Sequence, residues 1–207
     1  VFHAGGGSEM THVTWDEEEA KKLFEPDVPG PHFKVLDGNI GFIDLVNLAP
    51  NEVDAAMGAV KDTKALIFDV RGYPHGTAFD IGPRLGPARH ISGVAQMCVP
   101  IVRGNASEAE RVCEGSLQQL PMWEGERYTN PVIALIDDEA ISHAEHSCLI
   151  LEAYTDVTFI GSPTRGANGN VSHVKLLGEL SVSFTGLEVK HADGRQLQGT
   201  GIVPSIL

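Results

Sequence analysis

The tightest constraint on the fold is a pair of short apolar runs, each ending in a polar turn that leads toward a helix. Ala65-Leu66-Ile67-Phe68-Asp69-Val70 stays apolar up to its end and passes into Arg71-Gly72-Tyr73-Pro74-His75-Gly76. Pro131-Val132-Ile133-Ala134-Leu135-Ile136 passes into Asp137-Asp138-Glu139-Ala140-Ile141, and a helical pattern follows from Ser142 to Tyr154. Such runs, bounded by turn residues, read as buried strands. The alternation continues around them. Residues 39–46 read as an apolar strand, and 51–60 as a helix with Asn51 as N-cap and Asp54 three residues later. Residues 77–85 read as a short helix, and 95–102 and 158–161 as strands. Further strands are expected at 171–176, 180–185 and 187–191, with Ala192-Asp193-Gly194-Arg195 as a hairpin turn. A βαβ alternation followed by an antiparallel portion predicts an α/β fold with a mixed sheet. Residues 103–129 are polar and irregular and read as an insertion.

The N-terminal part is different. Ala4-Gly5-Gly6-Gly7-Ser8 reads as a loop, 16–24 as a short acidic helix, and Glu25-Pro26-Asp27-Val28-Pro29-Gly30-Pro31 as a linker, because its prolines forbid both helix and central strand. The expected organisation is an N-terminal segment with a Pro-rich linker over 1–31 and one compact core over 32–207. A net charge of −13 argues against a nucleic-acid partner, which needs clustered Lys and Arg. No apolar run is long enough to span a membrane. The cysteines Cys98, Cys113 and Cys148 lack metal-site spacing, and no His-x-x-x-His or carboxylate cluster suggests a metal, so no metal or other cofactor is expected. Cys98 and Cys113 either bridge the insertion or are two buried thiols. Val1 in place of Met points to an upstream segment; an exported precursor trimmed to this core would look the same, so export is expected over a cytoplasmic setting.

Ser142 has two readings, which are compatible. Ser is a favoured N-cap, and Glu145 three residues on completes a capping box. The N-cap is the commoner role; a serine at a helix N-terminus can also be a nucleophile, because free backbone N–H groups and the positive dipole end stabilise an oxyanion beside it. The N–H of His143 would be one donor. The glycine-containing turn from Gly72 to Gly76, where backbone can approach a substrate closely, would supply a second.

Six segments, in order, resemble the catalytic core of the C-terminal processing (tail-specific) serine peptidases, relatives of tricorn core protease and interphotoreceptor retinoid-binding protein. Gly38-Asn39-Ile40-Gly41-Phe42-Ile43 resembles the family's "G-x-I-G-Y-I", and the run from Ala65 to Gly76 resembles "A-L-I-L-D-L-R-G-N-P-G-G". Pro131 to Asp137 and Ile141-Ser142-His143-Ala144-Glu145 resemble "P-V-x-V-L-V-N" and "A-S-A-S-E". The stretch from Gly161 to Gly169 resembles "G-E-x-T-F-G-K-G", and that from Gln196 to Pro204 resembles "S-I-Q-G-x-G-I-x-P-D". The resemblance implies a ClpP/crotonase-like mixed sheet with flanking helices. It makes Ser142 the nucleophile of a serine endopeptidase, with the amides of His143, His75 and Gly76 as the oxyanion hole and peptides or unfolded protein as substrate.

The departures shape the rest. The family's lysine base is replaced by Ala167, and Lys175 lies too far along, inside a strand. Tricorn-like relatives use a histidine from an N-terminal segment and a glutamate near the C-terminal end. Here His3 is the first choice for the base, ahead of His12, unless the base lies before Val1; Gln198 stands near the place of the glutamate. About 30 residues precede the core, too few for the family's PDZ module, so a PDZ-less member is expected, and oligomers are compatible with it. His146, one turn along from Ser142, either reaches the site or, the favoured reading, is a polar face residue. The His75 ring reads as a pocket lining, and His90, His173 and His191 as surface or sheet residues. The alternative is a catalytically degenerate peptidase-fold protein that binds peptides or apolar ligands.

Overall fold

The two apolar runs become adjacent parallel strands in the middle of a five-stranded sheet. The computed structural model describes residues 31–86, 93–103, 110–119, 122–178 and 180–207; the helix expected at 16–24, His3, His12 and His90 lie outside them. The sheet contains β1 (Phe33–Leu36), β2 (Ile40–Asp44), β3 (Ala65–Asp69), β6 (Val132–Ile136) and β7 (Val157–Gly161), side by side in that order. β1 runs antiparallel to β2, and the other neighbours run parallel. Within β3 the side chains of Leu66 and Phe68 are fully buried, while Ala65, Ile67 and Asp69 on the opposite face are half-buried. Each fully buried side chain of this size contributes about 1.5–3 kcal/mol.

Helices cover the sheet. α1 (Val53–Val60) buries Val53, Ala56, Met57 and Val60, the i, i+3, i+4, i+7 stripe of a helix facing a core. It approaches β2 at Gly41, where a Cβ would lie 2.9 Å from the Val60 side chain. α3 (His143–Tyr154) is buried on nearly every side, with Leu149, Ile150 and Leu151 in the core. Among the described residues, no helix is long and apolar enough to cross a membrane.

A second, antiparallel sheet has the order β10 (Glu188–His191), β4 (Ala95–Arg103), β5 (Glu110–Gln118). β8 (Val171–Lys175) and β9 (Ser181–Thr185) form an antiparallel pair of their own. The architecture is therefore the expected mixed α/β one.

Some local expectations fail for identifiable reasons. β1 was not anticipated; its four residues find their pairing partner only in β2. Asn51 is not an N-cap. Pro50–Glu52 form a 3-10 turn, as the fixed φ of Pro50 favours, and Glu52 accepts hydrogen bonds from the Ala49 N–H at 2.8 Å and pairs with His32 at 2.8 Å. The helix expected at 77–85 divides into α2 (Ala78–Ile81) and a 3-10 turn at Gly82–Arg84, because Pro83 has no N–H to give. The insertion is not irregular throughout: its polar residues 110–118 form β5, whose ladder with β4 supplies the order that composition does not announce. Cys98 is disulfide-bonded, and Cys148 is free and buried.

Candidate active site

Because β3 and β6 are parallel neighbours, their carboxyl ends lie side by side, and strands in a sheet are only about 4.8 Å apart. The loops leaving those ends must meet, and the crevice outside them is where open α/β sheets place ligands. They do meet. The His143 ring, at the start of α3, stacks on Phe79 of α2 at 5.8 Å between centroids and lies 6.0 Å from the Tyr73 ring. Its Nε2 faces Gly76, where a Cβ would stand 3.3 Å away and where φ is +87°. Gly76 is thus fixed by both backbone and space.

Ser142 sits at this junction with φ +52° and ψ −104°, a region L-residues avoid at a cost of about 1–3 kcal/mol. Its surroundings hold it there. Asp137 closes the preceding turn by accepting the N–H of Glu139 on its side chain and that of Ala140 on its carbonyl. The carbonyl of Ser142 accepts the His146 N–H at 3.0 Å, and its own N–H donates to Glu145 Oε2 at 3.2 Å. The Glu145 half of the expected capping box is therefore present. The Ser142 side chain makes no cap hydrogen bond, and the residue is half-buried at the wall of a cavity of about 260 Å³.

Glu145 is the anchor beneath the serine. It is fully buried and accepts four hydrogen bonds: from Ser142 N–H, from Thr164 Oγ1 at 2.7 Å, from Gly166 N–H at 2.5 Å and from Ala167 N–H at 2.9 Å. The helix N-terminus and the turn at 164–167 are thereby one unit. Ala167, where the resemblance would put a lysine, holds this turn with its backbone.

The other predicted site residues divide. The His143 N–H is among the first-turn amides that have no acceptor within a helix. His75 is exposed and does not line this cavity, contrary to the expectation for its ring. Gln198 donates from Nε2 to the carbonyls of Asn168 at 2.6 Å and Leu187 at 2.8 Å, bracing the turn after Ala167. His146 is not a solvated face residue: it is 7% exposed and lines the same cavity as Ser142. Its Nε2 pairs with Gln118 Oε1 at 2.7 Å and its Nδ1 with Asn168 Nδ2 at 3.3 Å. Burial, with a smaller contribution from nearby His143, pushes its pKa down to about 4, and burial also lowers that of His143. Gln118 belongs to no motif; Asn168 lies within the Gly161–Gly169 stretch, but nothing in that match marks its side chain. Among the described residues no group of three or more His, Cys, Asp or Glu side chains is placed to hold a metal ion.

Comparison with known proteins follows the same lines. Residues 39–207 match the model of Peptidase family S41. A curated Chlamydia pneumoniae protein is 34% identical over 83 residues, which are 39% of this chain and 13% of that protein. A candidate peptidase from Parabacteroides merdae superposes with a TM-score of 0.66 at 20% identity, over 93% of this chain and 62% of its own. Mature CPAF in complex with lactacystin gives 0.61 at 17% identity, over 83% and 48%. The photosystem II D1 C-terminal processing protease gives 0.52 at 16% identity, over 83% and 44%. At these identities the structures establish a shared fold. The chain spans less than two thirds of the length of each of these relatives.

Proposed function

The chain belongs to peptidase family S41, and from that premise we propose that it hydrolyses peptide bonds with Ser142 as nucleophile and a histidine as base. Ser142 Oγ attacks the scissile carbonyl carbon while its proton passes to the base. The carbonyl oxygen becomes an oxyanion facing the N–H of His143 and the amides of the His75–Gly76 turn. The tetrahedral adduct collapses to an acyl-enzyme as the leaving amine takes the proton back from the base. Water, deprotonated by the same base, then releases the second product and restores the serine.

The observation that carries this reading is the backbone of Ser142. A non-glycine residue held at positive φ, on a buried carboxylate anchor and with its hydroxyl not spent on capping, is strain maintained at a cavity wall. The resemblance points to a histidine from the N-terminal segment as the base, with His3 the first choice ahead of His12 unless the base lies before Val1. His146 is a poor candidate, since both its ring nitrogens are engaged, and Gln198 serves the site by holding the Asn168 turn. The substrate class is a peptide or an unfolded protein segment.

A fluorophosphonate probe and an unstructured peptide substrate test the reading. The probe is expected to label the chain, Ser142→Ala to abolish labelling and hydrolysis together, and His3→Gln to remove most of the rate. Labelling that persists in Ser142→Ala would refute the nucleophile. Peptide binding with neither labelling nor hydrolysis would favour the degenerate, binding-only alternative.

A further inference from the structure

The insertion between β4 and β6 carries no motif, yet its strand β5 ends at Gln118 inside the cavity beside Ser142. The register explains how. Gln118 pairs with Ala95, and Met97, two residues along β4, pairs with Val189 of β10, so Gln118, Met97 and Val189 share one face of the small sheet. That face lines the cavity together with Phe79, Ser142 and His146.

Gln118 is also fixed in orientation. With its Oε1 accepting at 2.7 Å, His146 carries its proton on Nε2, which leaves Nδ1 to accept from Asn168 Nδ2. A neutral chain of Gln118, His146 and Asn168 therefore spans the cavity. Among the described residues, no Asp, Glu, Lys or Arg lines it, although the whole chain carries a net charge of −13. Phe79, Met97, Leu187 and Val189 supply the apolar part of the wall.

We propose that Gln118 is a specificity-determining residue, closing a subsite next to Ser142 that takes an uncharged, largely apolar side chain of the peptide substrate. The proposal deepens the peptidase reading and rests on it. The volume of about 260 Å³ falls below the roughly 300–1,000 Å³ of small-molecule sites, and suits one side chain with its adjoining backbone. A charged side chain entering here would lose hydration and meet no counter-charge among the described lining residues, which is the costly way to bury a charge. Gln118 controls this because it stands at the wall, hydrogen-bonded but uncharged, and a charge placed there would supply the missing partner.

The test reads binding without turnover. Fluorescent peptides with a Gly-Ser background, differing at one residue as Leu, Glu or Lys, are titrated by anisotropy against the full chain carrying Ser142→Ala. A pH of 8 keeps His146 neutral. The Leu peptide is expected to bind at least tenfold more tightly than the other two. Adding Gln118→Lys should tighten the Glu peptide at least tenfold and leave the Lys peptide weak, and adding Gln118→Glu should do the reverse. Circular dichroism melts confirm that each variant is folded, and either variant alone suffices. The proposal is overturned if Glu or Lys binds as well as Leu, if no peptide binds, or if a folded Gln118 variant shifts all three affinities by one factor. Intact selectivity in a chain that a fluorophosphonate does not label would sink the Ser142 nucleophile and leave the Gln118 subsite standing.

Discussion

Replacing Glu145 by Gln preserves shape and changes one oxygen into an N–H₂ group. That is a severe change at this position. Oε1 accepts from Thr164 Oγ1 and Gly166 N–H; Oε2 accepts from Ser142 N–H and Ala167 N–H. If the amide nitrogen takes the Oε2 place, it faces two backbone donors that cannot turn away. If it takes the Oε1 place, the Thr164 hydroxyl can rotate and accept, but the Gly166 N–H cannot. At least one buried donor is left without an acceptor, at about 1–3 kcal/mol each, and a charge-assisted interaction is lost besides. We expect Glu145→Gln to cost about 2–4 kcal/mol, which for a domain of this size lowers the melting temperature by about 5–15 °C. Urea unfolding followed by circular dichroism gives the number directly, and the slope with urea should not change. Fluorophosphonate labelling of Ser142 should slow in the same variant, because the group that ties the start of α3 to the 164–167 turn no longer satisfies both. A loss of stability under about 0.5 kcal/mol would show that the four hydrogen bonds are not the anchor described here.

Two further outcomes follow from the same site. Ser142→Gly and Ser142→Ala both remove the hydroxyl, but only glycine tolerates φ +52° and ψ −104° without strain, so the glycine variant should be the more stable by about 1 kcal/mol, or a few degrees by calorimetry. An alanine variant at least as stable would contradict the strained backbone. His146, with its folded pKa near 4 against 6.5 when unfolded, binds its proton in the unfolded chain first. Stability should therefore be complete above pH 6.5 and fall as pH drops toward 4, by about 3 kcal/mol from this residue. Burial of His143 adds in the same direction. His146→Gln should flatten the pH dependence of urea unfolding; an unchanged slope would refute the burial argument.

What could be read from the sequence was local. The apolar runs at β3 and β6 announce buried strands, because hydrophobic character along five or six residues is enough to demand a core. The strand, acidic turn and helix around Ser142, with Glu145 one turn on, mark a helix N-terminus from neighbouring residues alone. Those signals supported the mixed sheet and made Ser142 a candidate nucleophile. Of the two readings of His146 the favoured polar-face one fails and the site-reaching one holds, because helical spacing tells which face a residue occupies and not what will cover that face. β5 was missed because a polar strand owes its order to a partner, β4, and not to its own composition.

The sequence by itself determined the central apolar strands and placed Ser142 at the start of a helix; the tertiary structure decided everything that required two distant segments to meet. Glu145 finds Thr164, Gly166 and Ala167 some twenty residues away because β6 and β7 lie side by side and their loops leave the same edge of the sheet. Gln118 reaches His146 because the β4–β5 register sets its face. The physical reason is common to both. Backbone propensity and hydrophobic period act over a few residues, whereas the groups that anchor and shape this cavity are brought together by strand order and register, which only the folded sheet defines.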